Sequence, residues 1–131
     1  MYYKQFRQNK FKNKKTVFGG RLYASKLESS VAADLELAKK AVNPQEKVLE
    51  VIPQFPIDFY FNGLELTDEA EPGITRKLFR YYVDFKVIYA DGHLELIEAK
   101  GMATDLWQVK WKLTEILYNS KYPEVTLRVI K

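Results

Sequence analysis

The sequence of 131 residues contains no cysteine and only one histidine, His93. Without cysteine, disulfide bonds, zinc–thiolate sites and thiol nucleophiles are all excluded. A single histidine also excludes a metal site built from several imidazole groups. Any bound metal ion would therefore be held by carboxylates, which favour a hard cation such as Mg²⁺ or Mn²⁺.

Long apolar runs are missing as well. No run approaches the roughly 20 residues that a membrane-spanning helix needs, and the polar, lysine-rich start lacks the pattern of a signal peptide. We therefore expect a cytoplasmic protein with no membrane partner. With 47% hydrophobic and 29% charged residues, the composition is typical of a globular protein. The length predicts a single domain with its own core.

Acidic residues are absent from the first 27 positions, which hold eight lysines and arginines. This segment therefore contributes a formal charge of +8. Because the whole chain has a formal net charge of +4, residues 28–131 contribute about −4. A basic segment on a mildly acidic body favours a polyanionic partner. We predict a basic N-terminal arm over residues 1–15, and DNA contacts at Lys10, Lys12, Lys14, Lys15, Arg21 and Lys26. The alternative is a solvated N-terminus whose lysines only increase solubility.

The clearest local pattern is a β-hairpin over residues 81–101. Residues 81–89 are mostly apolar or aromatic and predict one strand, and residues 93–101 predict the next. Between them, Asp91-Gly92 is a strong signal for a tight turn. The first strand could begin as early as Lys77.

Three of the charged side chains in this hairpin lie at unusual positions. Asp84 lies within the first strand, and Glu98 and Lys100 lie near the end of the second. Because side chains alternate along a strand, Glu98 and Lys100 share the face of Leu96, which should be buried. Burying such charges costs several kcal/mol unless they are compensated. A metal ion shared with Asp84 would compensate them.

Two helices are predicted, one before the hairpin and one after it. The capping box from Ser25 to Glu28 starts the first, which should run to about Ala41. Thr104 and Asp105 start the second, which should reach about residue 120. Its apolar stripe consists of Leu106, Val109, Leu113, Ile116 and Leu117. A second stripe, formed by Trp107, Trp111 and Tyr118, indicates core packing or, as the alternative, a dimer interface.

Strands account for most of the remaining chain. Residues 16–23 predict a short hairpin, and residues 125–130 predict a final strand. Residues 47–61 predict a strand that its prolines break or confine to an edge, and the acidic segment 64–75 predicts a loop. The order of core elements is helix-strand-strand-strand-helix-strand. This order predicts an α/β fold, with an α+β mixed sheet flanked by helices on both sides.

The hairpin carries Asp84 and, after thirteen intervening residues, Glu98-Ala99-Lys100. Together with the order of elements given above, this pattern resembles the signature of the PD-(D/E)XK nuclease superfamily. Val83 stands in place of the proline of that motif. A closer resemblance is to a small phage-encoded branch described as Holliday-junction-resolvase-like or as a domain of unknown function. It is carried by residues 13–28, 82–85 and 98–102, with Thr104, Lys110 and Lys112, and covers about residues 12–130.

The resemblance implies a restriction-endonuclease-like core over residues 16–131. The implied activity is that of a metal-dependent DNA endonuclease that hydrolyses phosphodiester bonds in branched DNA such as a Holliday junction. Resolving a four-way junction requires two symmetric cuts, so this substrate implies a homodimer. The phage branch implies action in the cytoplasm of a bacterial host.

The same resemblance implies a role for each site residue. Asp84, Glu98 and the backbone carbonyl of Ala99 would bind Mg²⁺ or Mn²⁺, and Glu28 on the first helix would add a further ligand. Lys100 would hold or help deprotonate the attacking water and stabilise developing negative charge. On the second helix, the implied DNA contacts are Lys110 and Lys112.

Each residue also has a plainer explanation. Asp84 could face solvent or pair with a neighbouring lysine, and Glu98 and Lys100 could form a surface ion pair. Glu28 could serve only the helix start, and Lys110 could lie along the helix surface. For the whole protein, the alternatives are a nicking, flap or restriction-like nuclease, a non-catalytic DNA-binding accessory protein, and a protein-interaction domain with a basic arm.

Overall fold

The computed structural model of the protein describes residues 16–18, 21–23 and 25–131. The basic arm predicted for residues 1–15 lies outside this range, and with it Lys10, Lys12, Lys14 and Lys15. The elements, in chain order, are β1 (Thr16–Phe18), β2 (Arg21–Tyr23), α1 (Lys26–Ala38), β3 (Val48–Phe61), β4 (Leu66–Thr67), β5 (Arg76–Tyr89), β6 (Leu94–Ala99), α2 (Asp105–Lys121) and β7 (Thr126–Ile130). Arg21, also predicted to contact DNA, is the first residue of β2.

Five of these strands form one mixed sheet in the order β4-β3-β5-β6-β7, and β1 and β2 pair separately. Neighbours in the large sheet are antiparallel except β6 and β7, which are parallel. A parallel pair needs a long crossover connection, and α2 supplies it. Apart from the two-residue β4, the order from α1 to β7 is the predicted one. The α/β mixed-sheet fold is therefore confirmed.

The two helices cover opposite faces of this sheet. On β6, the successive residues Leu96 and Ile97 are both buried and point to opposite faces. Leu96 packs in a cluster with Leu117 of α2, whereas Ile97 packs in a cluster with Leu35 of α1. Because β6 is covered on both sides, its two charged residues, Glu95 and Glu98, are buried too. Neither of the helices described is long and apolar enough to cross a membrane.

The first helix starts as predicted but ends earlier. Its cap forms where the backbone N–H of Glu28 donates to the Ser25 hydroxyl at 3.2 Å. α1 ends at Ala38 rather than near Ala41, because the N–H groups of residues 39–41 each donate to the carbonyl three residues back. These tighter bonds are of the 3₁₀ type, which commonly closes a helix C-terminus.

The long strand β3 is not broken by its prolines. Pro53 and Pro56 lie within it, and β5 pairs with the strand along its whole length. On the other side, β4 pairs only with Tyr60 and Phe61. Among the described residues, no strand therefore pairs with the outer edge of β3 at the prolines. On that side, the missing proline N–H groups remove no hydrogen bond to a neighbouring strand. The prediction of a loop over 64–75 was wrong for β4, which lies inside it.

The central hairpin of β5 and β6 is confirmed, and its turn is longer than a two-residue turn. The Tyr89 N–H donates to the His93 carbonyl at 3.0 Å, and the Gly92 N–H donates to the Tyr89 carbonyl at 2.9 Å. This leaves a loop of residues 90–92 in which Gly92 has φ +94°. A three-residue hairpin loop commonly places glycine in this left-handed conformation.

The two apolar stripes of α2 differ in how far they are buried. The predicted core packing of the aromatic stripe is confirmed, since Trp111 and Tyr118 are buried. Part of the other apolar stripe is exposed instead, with exposed fractions of 63% at Leu106, 57% at Val109 and 52% at Ile116. A helix against one sheet face buries only one side, and the aromatic rings bring more apolar area to it.

Candidate active site

The predicted carboxylates meet where β5 and β6 stop pairing as regular strands. The backbone register between them ends at Phe85 and Ile97. Beyond this point, the Asp84 N–H donates to Oε1 of Glu98 at 3.2 Å. In return, the Ala99 N–H donates to Oδ2 of Asp84 at 2.9 Å. The two side-chain carboxylates thus replace backbone carbonyls as acceptors of the ladder N–H groups. These bonds fix Asp84 and Glu98 at the point where the two strands separate.

A tyrosine and a tryptophan orient the Glu98 carboxylate from the α2 side. The Tyr81 hydroxyl, on β5, donates to Oε1 of Glu98 at 2.7 Å. The indole Nε1 of Trp107, on α2, donates to the Tyr81 hydroxyl oxygen at 3.0 Å. Burial, followed by the charge of Glu98, raises the pKa of Tyr81 well above its ordinary value. Tyr81 therefore remains a protonated donor to the carboxylate.

Glu28 joins the site from the other helix through a residue that the sequence patterns did not indicate. Glu28 is buried in the first turn of α1. The side-chain amide nitrogen of Gln54, on β3, lies 3.0 Å from Oε2 of Glu28 and 3.4 Å from Oδ1 of Asp84. Gln54 therefore bridges the two carboxylates. Its position between two prolines on β3 carries no motif, so only the three-dimensional contacts identify it.

The electrostatics of the pair follow from its burial. Burial, and then the charge of Asp84, raises the pKa of Glu98 to about 8, against the opposing effect of its hydrogen bonds. Burial also raises the pKa of Asp84, although hydrogen bonds from Ala99 and other neighbours act in the opposite direction. Two neighbouring buried carboxyl groups cannot both ionise cheaply. The pair therefore retains a proton near neutral pH unless a cation is added.

Lys100 supplies a positive charge next to this pair. Its backbone N–H donates to the carbonyl of Ile130 in β7 at 2.8 Å, which anchors the residue just beyond β6. Its Nζ lies 5.7 Å from the centre of the Trp107 ring. Its charge lowers the pKa of both Asp84 and Glu98, so the ammonium acts on both carboxyl groups.

The predicted lysines outside this cluster have other neighbours. Lys26 is exposed at the start of α1. The Nζ of Lys110 lies 5.7 Å from the centre of the Phe79 ring. The Nζ of Lys112 lies 3.4 Å from Oε1 of Glu115, on the same helix. Their predicted DNA contacts stay predictions.

The donor set suits a hard divalent cation. It offers the carboxylates of Asp84 and Glu98, the nearby carbonyl of Ala99 and, through Gln54, the carboxylate of Glu28. Oxygen donors of this kind are the preferred ligands of Mg²⁺, and a cation would relieve the unfavourable charge of the buried pair. Within residues 16–18, 21–23 and 25–131, however, no three acidic or histidine side chains already form a metal-binding group.

In a comparison with protein families, residues 8–131 match a family described as Protein of unknown function (DUF1064). The chain belongs to this family. The matched range of the DUF1064 protein includes every residue of the cluster. Comparisons with curated proteins and with solved structures gave no significant match.

Proposed function

We propose that this DUF1064 protein is a metal-dependent DNA endonuclease with a restriction-endonuclease-like core, acting on branched DNA such as a four-way junction. The observation that carries the proposal is the meeting of Asp84, Glu98 and Lys100 at the point where β5 and β6 separate. The element order from α1 to β7 supports it, because it agrees with the order expected for that core.

In this proposal Asp84, Glu98, the Ala99 carbonyl and Glu28 hold Mg²⁺ or Mn²⁺. When bound, the ion supplies positive charge to the scissile phosphate and lowers the pKa of a water molecule. Lys100 holds the attacking water by a hydrogen bond and stabilises the negative charge that develops on the phosphate.

Tyr81 and Trp107 contribute by fixing the Glu98 carboxylate. The Tyr81 hydroxyl donates to Oε1, and the Trp107 indole N–H holds that hydroxyl in turn, so the carboxyl group cannot turn freely about its terminal bond. A carboxylate held in one orientation loses little conformational entropy when a ligand binds to it. The same bonds connect α2 to β6, so the position of Glu98 depends on the packing of the second helix.

The substrate class sets two further parts of the proposal. A four-way junction needs two symmetric cuts, so the active form would be a homodimer with two-fold symmetry. The basic residues of the N-terminal 27 positions would hold the DNA backbone, with a strong dependence on salt. The site of action would be the cytoplasm.

Cleavage of a synthetic four-way junction, compared with linear duplex, tests the proposal. Wild type should cut the junction with Mg²⁺ or Mn²⁺, and Asp84→Asn should reduce the rate by at least about 100-fold. Asp58→Asn is a matched control, because Asp58 lies on the adjacent strand and binds Arg80 at 2.7 Å, outside the cluster. Equal cleavage by wild type and Asp84→Asn would show that the proposed site is wrong.

One observation favours a second candidate, a non-catalytic DNA-binding accessory protein. Every fully buried side-chain nitrogen and oxygen in the described part of the chain has a hydrogen-bond partner. The fully buried polar atoms of the cluster therefore have partners without an ion, and the cluster could serve the fold alone. Junction binding that is retained in Asp84→Asn, with no cleavage by wild type in either metal, would favour this candidate.

A further inference from the structure

We infer that Gln54 is a positioning residue that holds Glu28 and Asp84 in a fixed arrangement for catalysis. This inference rests on the proposed nuclease function and adds to it a residue from a third strand. It depends on two independent observations, one on the backbone of Gln54 and one on its side chain.

The backbone of Gln54 has an unusual conformation directly opposite Asp84. Its φ of +52° is the only positive value at a non-glycine residue among those described. Side chains with a Cβ atom disfavour this left-handed region. The irregularity is confined to one residue, because Pro53 still pairs with Phe85 and Phe55 still pairs with Val83. A disfavoured conformation at one residue beside a polar cluster points to a local requirement.

The side chain of Gln54 explains that requirement. Its amide nitrogen approaches Oε2 of Glu28 and Oδ1 of Asp84. A carboxamide has two N–H donors on one nitrogen, so it can bridge two acceptors without adding charge. A lysine would add a charge, and a glutamate would add an acceptor to a site already rich in acceptors. Glutamine therefore matches the chemistry of a bridge between two carboxylates.

Attachment of the helix α1 does not depend on this bridge. Val31, Ala32 and Leu35 of α1 are buried against Phe85 and Ile97 of the sheet. This apolar contact holds the helix on the sheet when the polar bridge is removed. Loss of Gln54 should therefore change the geometry of the two carboxylates and leave the protein folded.

Three substitutions separate the backbone from the side chain. Gln54→Gly removes the bridge and favours the left-handed backbone, whereas Gln54→Ala removes the bridge and still disfavours that backbone. Gln54→Glu keeps the size of the side chain and replaces its amide donors by a charge. The unfolding midpoint of Gln54→Gly should lie at or above that of Gln54→Ala. All three variants should lose about 10- to 100-fold in kcat with little change in KM for DNA.

Mg²⁺ binding measured by calorimetry without DNA gives a readout that a purely structural role would not change. Gln54→Gly should weaken it about tenfold or more while remaining folded. Wild-type cleavage and wild-type Mg²⁺ affinity in Gln54→Gly would overturn the inference.

A thermodynamic cycle on the metal-free protein distinguishes failure of the inference from failure of the nuclease proposal. The shifts in unfolding midpoint of Gln54→Ala and Glu28→Ala should not add in the double variant, because the two side chains are bonded. The same should hold for Gln54→Ala with Asp84→Ala. Additive shifts in both cycles would overturn the bridge even in an active nuclease. Non-additive shifts in a protein that cuts no DNA would support the bridge and refute the nuclease.

Discussion

Burial of Glu98 makes the stability of the metal-free protein depend on pH, and Glu98→Gln should remove much of that dependence. Burial and the charge of Asp84 raise the pKa of Glu98 from 4.5 to about 8. Between these two values the folded state keeps a proton that the unfolded state releases. Stability is therefore fully present below about pH 4.5 and is lost as the pH rises towards 8.

The size of this loss follows from the shift. One pKa unit corresponds to about 1.4 kcal/mol, so a rise of several units at the interacting pair of Asp84 and Glu98 corresponds to several kcal/mol. Since Glu98 is only 3% exposed, screening by solvent reduces this value little. A domain of this size has a free energy of unfolding of only about 5–15 kcal/mol. The loss should therefore be visible in a denaturant titration.

The free energy of unfolding should be measured in urea with a metal chelator, between about pH 5 and pH 8. Wild type should lose several kcal/mol across this range, and Glu98→Gln should lose much less. Glu36→Gln is the matched control, because Glu36 is exposed on α1 and forms an ion pair with Lys39, away from the cluster. The same slope in all three proteins would refute the reasoning. Saturating Mg²⁺ should reduce the slope in wild type, since a cation stabilises the ionised pair.

Three further predictions concern other parts of the molecule. Tyr81→Phe should lower the free energy of unfolding by about 2–4 kcal/mol, because it removes a donor to a buried carboxylate and leaves the indole N–H without its acceptor. Urea titration measures this change, and the control Tyr60→Phe should lower the free energy of unfolding much less. Lys100→Ala should lower junction cleavage by at least about 100-fold and leave the circular dichroism spectrum unchanged, whereas Lys39→Ala should cut normally. Deletion of residues 1–15 should weaken junction binding and flatten its dependence on salt, as measured by fluorescence anisotropy; an unchanged salt slope would contradict a role for these residues in binding phosphate.

Local patterns were sufficient to predict the parts of the fold that depend on neighbouring residues. The capping side chains of Ser25 and Thr104 start the two helices as predicted, because a cap is a contact over three residues. The hairpin of β5 and β6 was equally accessible, since alternation and a glycine turn define it. Asp84 and Glu98 could be placed together because both follow from the register of that one hairpin.

The features that were missed depend on contacts between distant segments. Gln54 reaches Glu28 across 26 residues of sequence, and its left-handed backbone has no signal in the amino-acid type. The sequence does not show which side of α2 is exposed, because Leu106 and Trp111 belong to two apolar stripes and only contact with the sheet decides between them. In each case tertiary packing decides the outcome, and the hydrophobic periodicity of the sequence does not predict it.

The prolines of β3 also protect the protein from its own sheet. β3 has 14 residues, many of them apolar, and among the described residues β4 pairs only with its last two. A strand from another molecule could add to the rest of this outer edge. Pro53 and Pro56 offer no N–H to such a strand, and the left-handed residue between them interrupts the flat surface that pairing requires. Replacing both prolines by valine should therefore promote aggregation, an outcome that light scattering at increasing protein concentration would reveal. The residues that frame the Gln54 bridge would in this way also keep the protein in solution.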